Sequence, residues 1–159
     1  MSKRRVRWNH NRTQRWVEDD GGRKRAGFEG VAGDCVCRAI SIALELPYRQ
    51  VYDQINEAAR LERPGSRESG VRSHARTGVY RSTYERVLRS HGWVFTPTMG
   101  IGTGCRVHLR EGELPPGRII ARVSQHLVAV IDGVIHDTSD QTRGGTRCVY
   151  GYWSRASTG

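Results

Sequence analysis

The chain has no apolar run near the roughly 18 residues that span a membrane, so no membrane partner is expected. The basic residues that open it, Lys3, Arg4, Arg5 and Arg7, lack the apolar stretch of a secretory signal behind them. These absences predict a cytoplasmic protein with reduced thiols. Cysteine is scarce: Cys35, Cys37, Cys105 and Cys148 are too few for a disulfide scaffold in 159 residues. No Cys-x-x-Cys pair is present either. A zinc site can be drawn from Cys35, Cys37, His136 and Cys148, but Cys-x-Cys is not a usual structural spacing, so neither a metal nor another cofactor is expected. Cys37, Cys105 and Cys148 read as packed thiols, and His10, His74, His91 and His108 as solvated. The glycine-rich stretch Met99–Cys105 lacks GxGxxG spacing and a strand–turn–helix setting, which leaves it a weak signal for a phosphate loop. Gly102 and Gly104 are instead expected to line a cleft, where backbone must pass close to a ligand.

Lysine is nearly missing, and 24 of the 26 basic residues are arginine, as a GC-rich coding sequence would produce. Against 16 acidic residues they leave a net charge of +10, of which residues 1–27 supply +6. Such a charge draws a protein toward nucleic acid or another acidic partner. The mix of bases with Trp8 in residues 1–12 is the kind used by nucleic-acid arms. The length fits one domain with a core of its own. Residues 1–12 are expected as a basic, partly mobile arm, 13–153 as the domain and 154–159 as a frayed tail.

Apolar periodicity organises the first half as helices. Val36, Ala39, Ile40 and Ala43 form an i, i+3, i+4, i+7 stripe, with Gly33 before it and Asp34 as N-cap of a helix opening at Cys35. Pro47 starts a second helix with Val51, Ile55, Ala58 and Ala59 inward. Residues 62–77 read as a polar loop, and a third helix runs from Tyr80 to His91 and stops at Gly92. Arg15–Glu18 reads as a strand entering a Gly21-Gly22 hairpin, with Trp16, Val17 and Phe28 buried. The second half holds strands at 93–96, 118–123 and 149–153 and the segment 126–138. Helices followed by an antiparallel sheet predict an α+β fold.

Two stretches carry chemistry. Cys35 at a helix N-terminus meets unpaired N–H groups and the positive end of the helix dipole, which favour the thiolate. The Cys35 N–H, with Asp34 beside it, is then a candidate oxyanion site. In the hairpin 126–138, Asp132-Gly133 is a two-residue loop that sets Ile131 against Val134 and Val128 against Asp137. His126 and Asp137 therefore share a sheet face diagonally, roughly 7 Å apart or less between Cβ atoms. His136 points the other way. This supplies a base and its orienting carboxylate, Cys35 supplies the nucleophile, and Gln125 joins the expected substrate cleft.

The order Cys–His–Asp, with Asp34-Cys35 opening a helix and His126-Leu-Val-Ala-Val leading to Ile135-His136-Asp137, resembles the papain-like peptidases, closest to the bacterial branch that trims double-glycine leader peptides. The run Cys35-Val-Cys-Arg38-Ala39-Ile40-Ser41 also resembles the nucleophile helix of ovarian-tumour-type deubiquitinases. The whole chain is similar to small proteins of bacteria and their phages. The resemblance implies a papain-like fold and a thiol hydrolase acting on a peptide or protein substrate, with Cys35 as nucleophile, His126 as general base and acid, and Asp137 as orienter. Two departures stand out. Glu29 occupies the position, six before the nucleophile, where papain-like enzymes usually keep an oxyanion-donating Gln, and the deubiquitinases' Asp-Gly-Asn before the Cys is missing. A different class of function is also compatible with the composition: a non-catalytic basic protein that docks on nucleic acid or a host protein.

Overall fold

The computed structural model describes residues 6–8, 15–63 and 70–157. Among them, helices α1 (Cys35–Leu44), α2 (Tyr48–Ala59) and α3 (Arg81–Ser90) pack on one face of a seven-stranded sheet. Its strands are β1 (Val6–Trp8), β2 (Arg15–Glu18), β3 (Trp93–Pro97), β5 (Arg118–Val123), β6 (His126–Ile131), β7 (Val134–Asp137) and β9 (Gly151–Arg155), in the order β1-β2-β7-β6-β5-β9-β3. A two-stranded sheet of β4 (Val107–His108) and β8 (Cys148–Val149) packs on the other face. The α+β class expected from the sequence is the one observed.

Alternation along the strands divides the core in two. Ile120, Leu127, Ala129 and Trp153 face the helices and meet Val36, Ile40, Val51, Ile55 and Leu88. Ile119, Ala121, Val128, Val130 and Ile135 face away and are covered by Leu109 and Val149. The expected inner faces of all three helices are buried, with Ala58 only partly so. Pro47 stands at the N-cap of α2 rather than inside its first turn.

Several expectations are corrected. The sheet is mixed rather than antiparallel, because β2 adds to β7 in parallel, pairing Trp16 with Ile135 and Glu18 with Asp137. Gly21-Gly22 does not turn a hairpin; no strand follows, and the antiparallel partner of β2 is β1, drawn from residues 6–8 of the supposed arm. The rest of that arm, His10 included, lies outside the described residues. The last strand is two short ones separated at Tyr150: β8 pairs with β4, whereas β9 pairs with β3 and β5 and runs on to Arg155, inside the expected tail. Residues 158–159 lie outside the described residues.

Cys105 and Cys148 are not packed thiols. They form a disulfide with Cα atoms 5.8 Å apart, because the β4–β8 pairing brings the exposed end of the glycine loop onto β8. The reduced state predicted for all four thiols therefore holds for Cys35 and Cys37 alone. Among the described residues no helix is long and apolar enough to cross a membrane.

Candidate active site

Helix α1 is fixed at both ends, and this sets the position of Cys35. At its C-terminus Glu45 takes a left-handed φ of 56°, and the Leu46 N–H reaches back to the Ser41 carbonyl. Arg118 on β5 donates to the Ile42 and Ala43 carbonyls at 2.7 and 2.9 Å, a cation on the negative end of the helix. At the N-terminus Asp34 occupies the cap position, yet its side chain makes no cap bond. It turns inward, accepting from Arg38 one turn on and from Tyr48 Oη at 2.6 Å, with Arg23 Nε at 3.6 Å. The first N–H groups of α1 are thus left without a side-chain cap where the helix opens onto the cleft.

His126 begins β6 and Asp137 ends β7. The Asp132-Gly133 loop, with φ of 47° and 77°, joins the strands in the expected register, Ile131 to Val134 and Ala129 to His136. That register carries His126 Nε2 to 2.7 Å from Asp137 Oδ2. The same ring lies within hydrogen-bonding and electrostatic reach of the Cys35 thiol. Asp137 Oδ1 accepts from Arg38 Nη2 at 3.2 Å and from the Thr138 N–H at 2.6 Å, so both oxygens of this buried carboxylate are held. The Leu127 backbone N–H also favours the charged form of Cys35.

Burial pushes the Cys35 thiol up. The hydrogen bond and charge of His126, the Leu127 N–H and the Arg38 guanidinium outweigh it and hold the thiol below its ordinary value. Burial also opposes a charged His126, yet Asp137 and the Cys35 sulfur lift it from 6.5 to about 9. Each group therefore favours the charged form of the other, thiolate beside imidazolium. Cys37, two residues on, faces the core; burial pushes its thiol up to about 12. Little more than half a helical turn separates the lowered thiol from the raised one.

A cleft of about 570 Å³ opens beside Cys35. One wall is Gly33–Val36 with Thr77–Val79; the other is the sheet end at Arg122–Leu127. No family model, curated protein or solved structure matches this chain.

Cys35, His126 and Asp137 are brought together, and Gln125 lines the cleft with a left-handed φ of 54°. Gly102 and Gly104 do not line it; they lie exposed in the loop that the disulfide ties to β8. The Asp34 side chain accepts only and is already committed to Arg38 and Tyr48, so it is no oxyanion donor. Glu29 is exposed, with its carbonyl on Arg23 and Arg76. The drawn zinc ligands are scattered: Cys148 is bound to Cys105, and His136 Nδ1 lies 3.1 Å from Asp19 Oδ2. His91 and His108 are half-buried rather than solvated, on Gln54 and Glu113.

Sequence reasoning missed Arg38, Arg122 and Arg147. The i, i+4 spacing of Asp34 and Arg38 was a usable signal for the first. Arg147, which braces the β5–β6 turn by donating to the Ser124 carbonyl at 2.7 Å, carried none.

Proposed function

We propose that the chain is a papain-like thiol hydrolase that cleaves a peptide, isopeptide or related amide through an acyl-enzyme. The observation that carries this reading is the His126 ring, hydrogen-bonded to Asp137 and within reach of the Cys35 thiol, with both Cys35 and His126 lining one open cleft. In such an arrangement the Cys35 thiolate attacks the substrate carbonyl carbon and its electron pair forms the C–S bond. The carbonyl oxygen becomes an oxyanion within reach of the uncapped N–H groups at the start of α1, led by that of Cys35. As the tetrahedral species collapses, the C–N bond breaks and the departing amine takes the proton from His126. Neutral His126 then removes a proton from water, which attacks the thioester and releases the acid. Asp137, immobilised by Arg38 and Thr138, holds the ring in its productive tautomer and stabilises the imidazolium.

Alkylation with iodoacetamide at neutral pH tests the reading. Fast labelling confined to Cys35, with Cys37 silent, is expected, and Cys35→Ser should abolish it. Slow labelling with no preference for Cys35 would overturn the proposal and favour the non-catalytic basic binding protein instead.

A further inference from the structure

The cleft beside Cys35 holds a cation that the thiol chemistry does not use. Arg38 is spent on Asp34 and Asp137, and the His126 ring is engaged by Asp137 and Cys35. Arg122, half-buried toward the end of β5 and lining the cleft, has no carboxylate partner among the described residues. Its guanidinium lies against two rings, 6.0 Å from the centroid of Phe95 and 5.6 Å from that of Tyr150. Arg81, at the start of α3, approaches the same Phe95 ring to 5.6 Å and also lines the cleft, with its Nε on Glu85 at 2.7 Å. The Tyr84 phenol lies within electrostatic reach of Arg81, Arg122 and Cys35 together.

This platform depends on the backbone beneath it. Residue 151 pairs with Arg122 across the sheet, and a Cβ there would overlap the Phe95 ring, so only glycine lets the ring lie across β9. Stacking on aromatic faces holds a guanidinium in place while leaving its N–H fork free. A carboxylate is the group that such a fork matches in a two-pronged hydrogen bond. Nucleic acid fits less well, because the flanking rings are already covered by guanidinium groups and are not open to stack bases.

We infer that Arg122, with Arg81 and the Phe95 ring between them, forms a specificity subsite for a carboxylate side chain, so that the substrate is a peptide carrying Glu or Asp next to the bond attacked. This inference rests on the thiol hydrolase reading. Its test compares two peptidyl vinyl sulfones that differ only in Glu against Gln beside the electrophile, with each rate referred to the iodoacetamide rate of the same protein. The Glu probe should label Cys35 about tenfold faster than the Gln probe, as a charged hydrogen bond of this kind allows. Arg122→Gln should bring the ratio close to one, Arg122→Lys should keep part of it, and Arg81→Gln should lower it less. Equal rates for the two probes in the wild-type chain, with iodoacetamide still labelling Cys35 fast, would overturn the subsite and leave the hydrolase reading standing. Failure of Cys35 to react with iodoacetamide would overturn both. Protection of Cys35 by a single-stranded oligonucleotide, lost in Arg122→Gln, together with no Glu preference, would replace the acidic peptide with nucleic acid.

Discussion

Two histidine–aspartate pairs stand one strand position and a sheet face apart. His126 Nε2 lies 2.7 Å from Asp137, and His136 Nδ1 lies 3.1 Å from Asp19. Both are well shielded from solvent, and both join β6 or β7 to a neighbouring carboxylate. The difference is what else lies beside the ring. The His126 ring has a cysteine thiol within reach at the start of a helix, beside an open cleft. His136 pairs across the sheet with Ala129 on β6 and with Val17 on β2, in the interior of the sheet. Its partner Asp19 serves the turn after β2, accepting from the Gly21 N–H at 3.0 Å. A hydrogen-bonded His–Asp pair is thus an ordinary structural unit. It becomes chemically useful where the hairpin runs out and a nucleophile is brought to its free side.

Alanine at the two histidines breaks the comparison most sharply. His126→Ala should remove turnover and slow Cys35 alkylation, because the imidazolium that holds the thiolate is gone. His136→Ala should leave alkylation intact and cost about 1–3 kcal/mol of stability for the lost partner of Asp19. Alkylation kinetics and a urea titration of both variants separate these outcomes. The reverse pattern would move the site to His136.

The two carboxylates should differ as their histidines do. Asp137→Asn removes the acceptor that fixes the ring and is expected to slow turnover by up to about 10⁴-fold while the fold persists, as in the best-studied Ser-His-Asp site. Asp19→Asn should affect unfolding alone. Measured kcat for an acyl-transfer substrate is the readout.

Acidity sharpens the contrast further. A histidine raised from 6.5 to about 9 on folding stabilises the protein fully below pH 6.5, and that contribution is lost as pH climbs through about 9. The thermal midpoint should therefore fall over this window, and the fall should be smaller in His126→Ala. Turnover should be bell-shaped, with an acid limb from Cys35 below the ordinary thiol value and an alkaline limb near 9, where the leaving amine loses its proton donor. The smallest effect is expected at the turn common to both pairs. Asp132→Asn keeps the left-handed conformation and an acceptor for the Gly117 N–H, now at 2.8 Å, and should change stability by no more than about 0.5 kcal/mol.

The helices, the β5 and β6 strands and the register of the Asp132-Gly133 hairpin were legible because they rest on local physics. Apolar periodicity sets which side of a helix is buried, and a two-residue turn sets which residues oppose one another across a hairpin. Cys35, His126 and Asp137 follow from those two rules together. What was not legible depends on contacts between distant segments. The β2–β7 pairing joins strands more than a hundred residues apart and has no turn to announce it. The Cys105–Cys148 disulfide needed the β4–β8 contact to bring two separated thiols within bonding distance. Asp34 had the identity of an N-cap, but the half-buried Arg38 and the buried Tyr48 offered it stronger partners than the helix N–H groups did. The arginines divided in the same way. Sequence alone determined how many there are, whereas packing decided that Arg38 is neutralised at the centre of the site and that Arg122 lies against Phe95 with no carboxylate partner among the described residues, because only the folded chain settles which cations find a carboxylate.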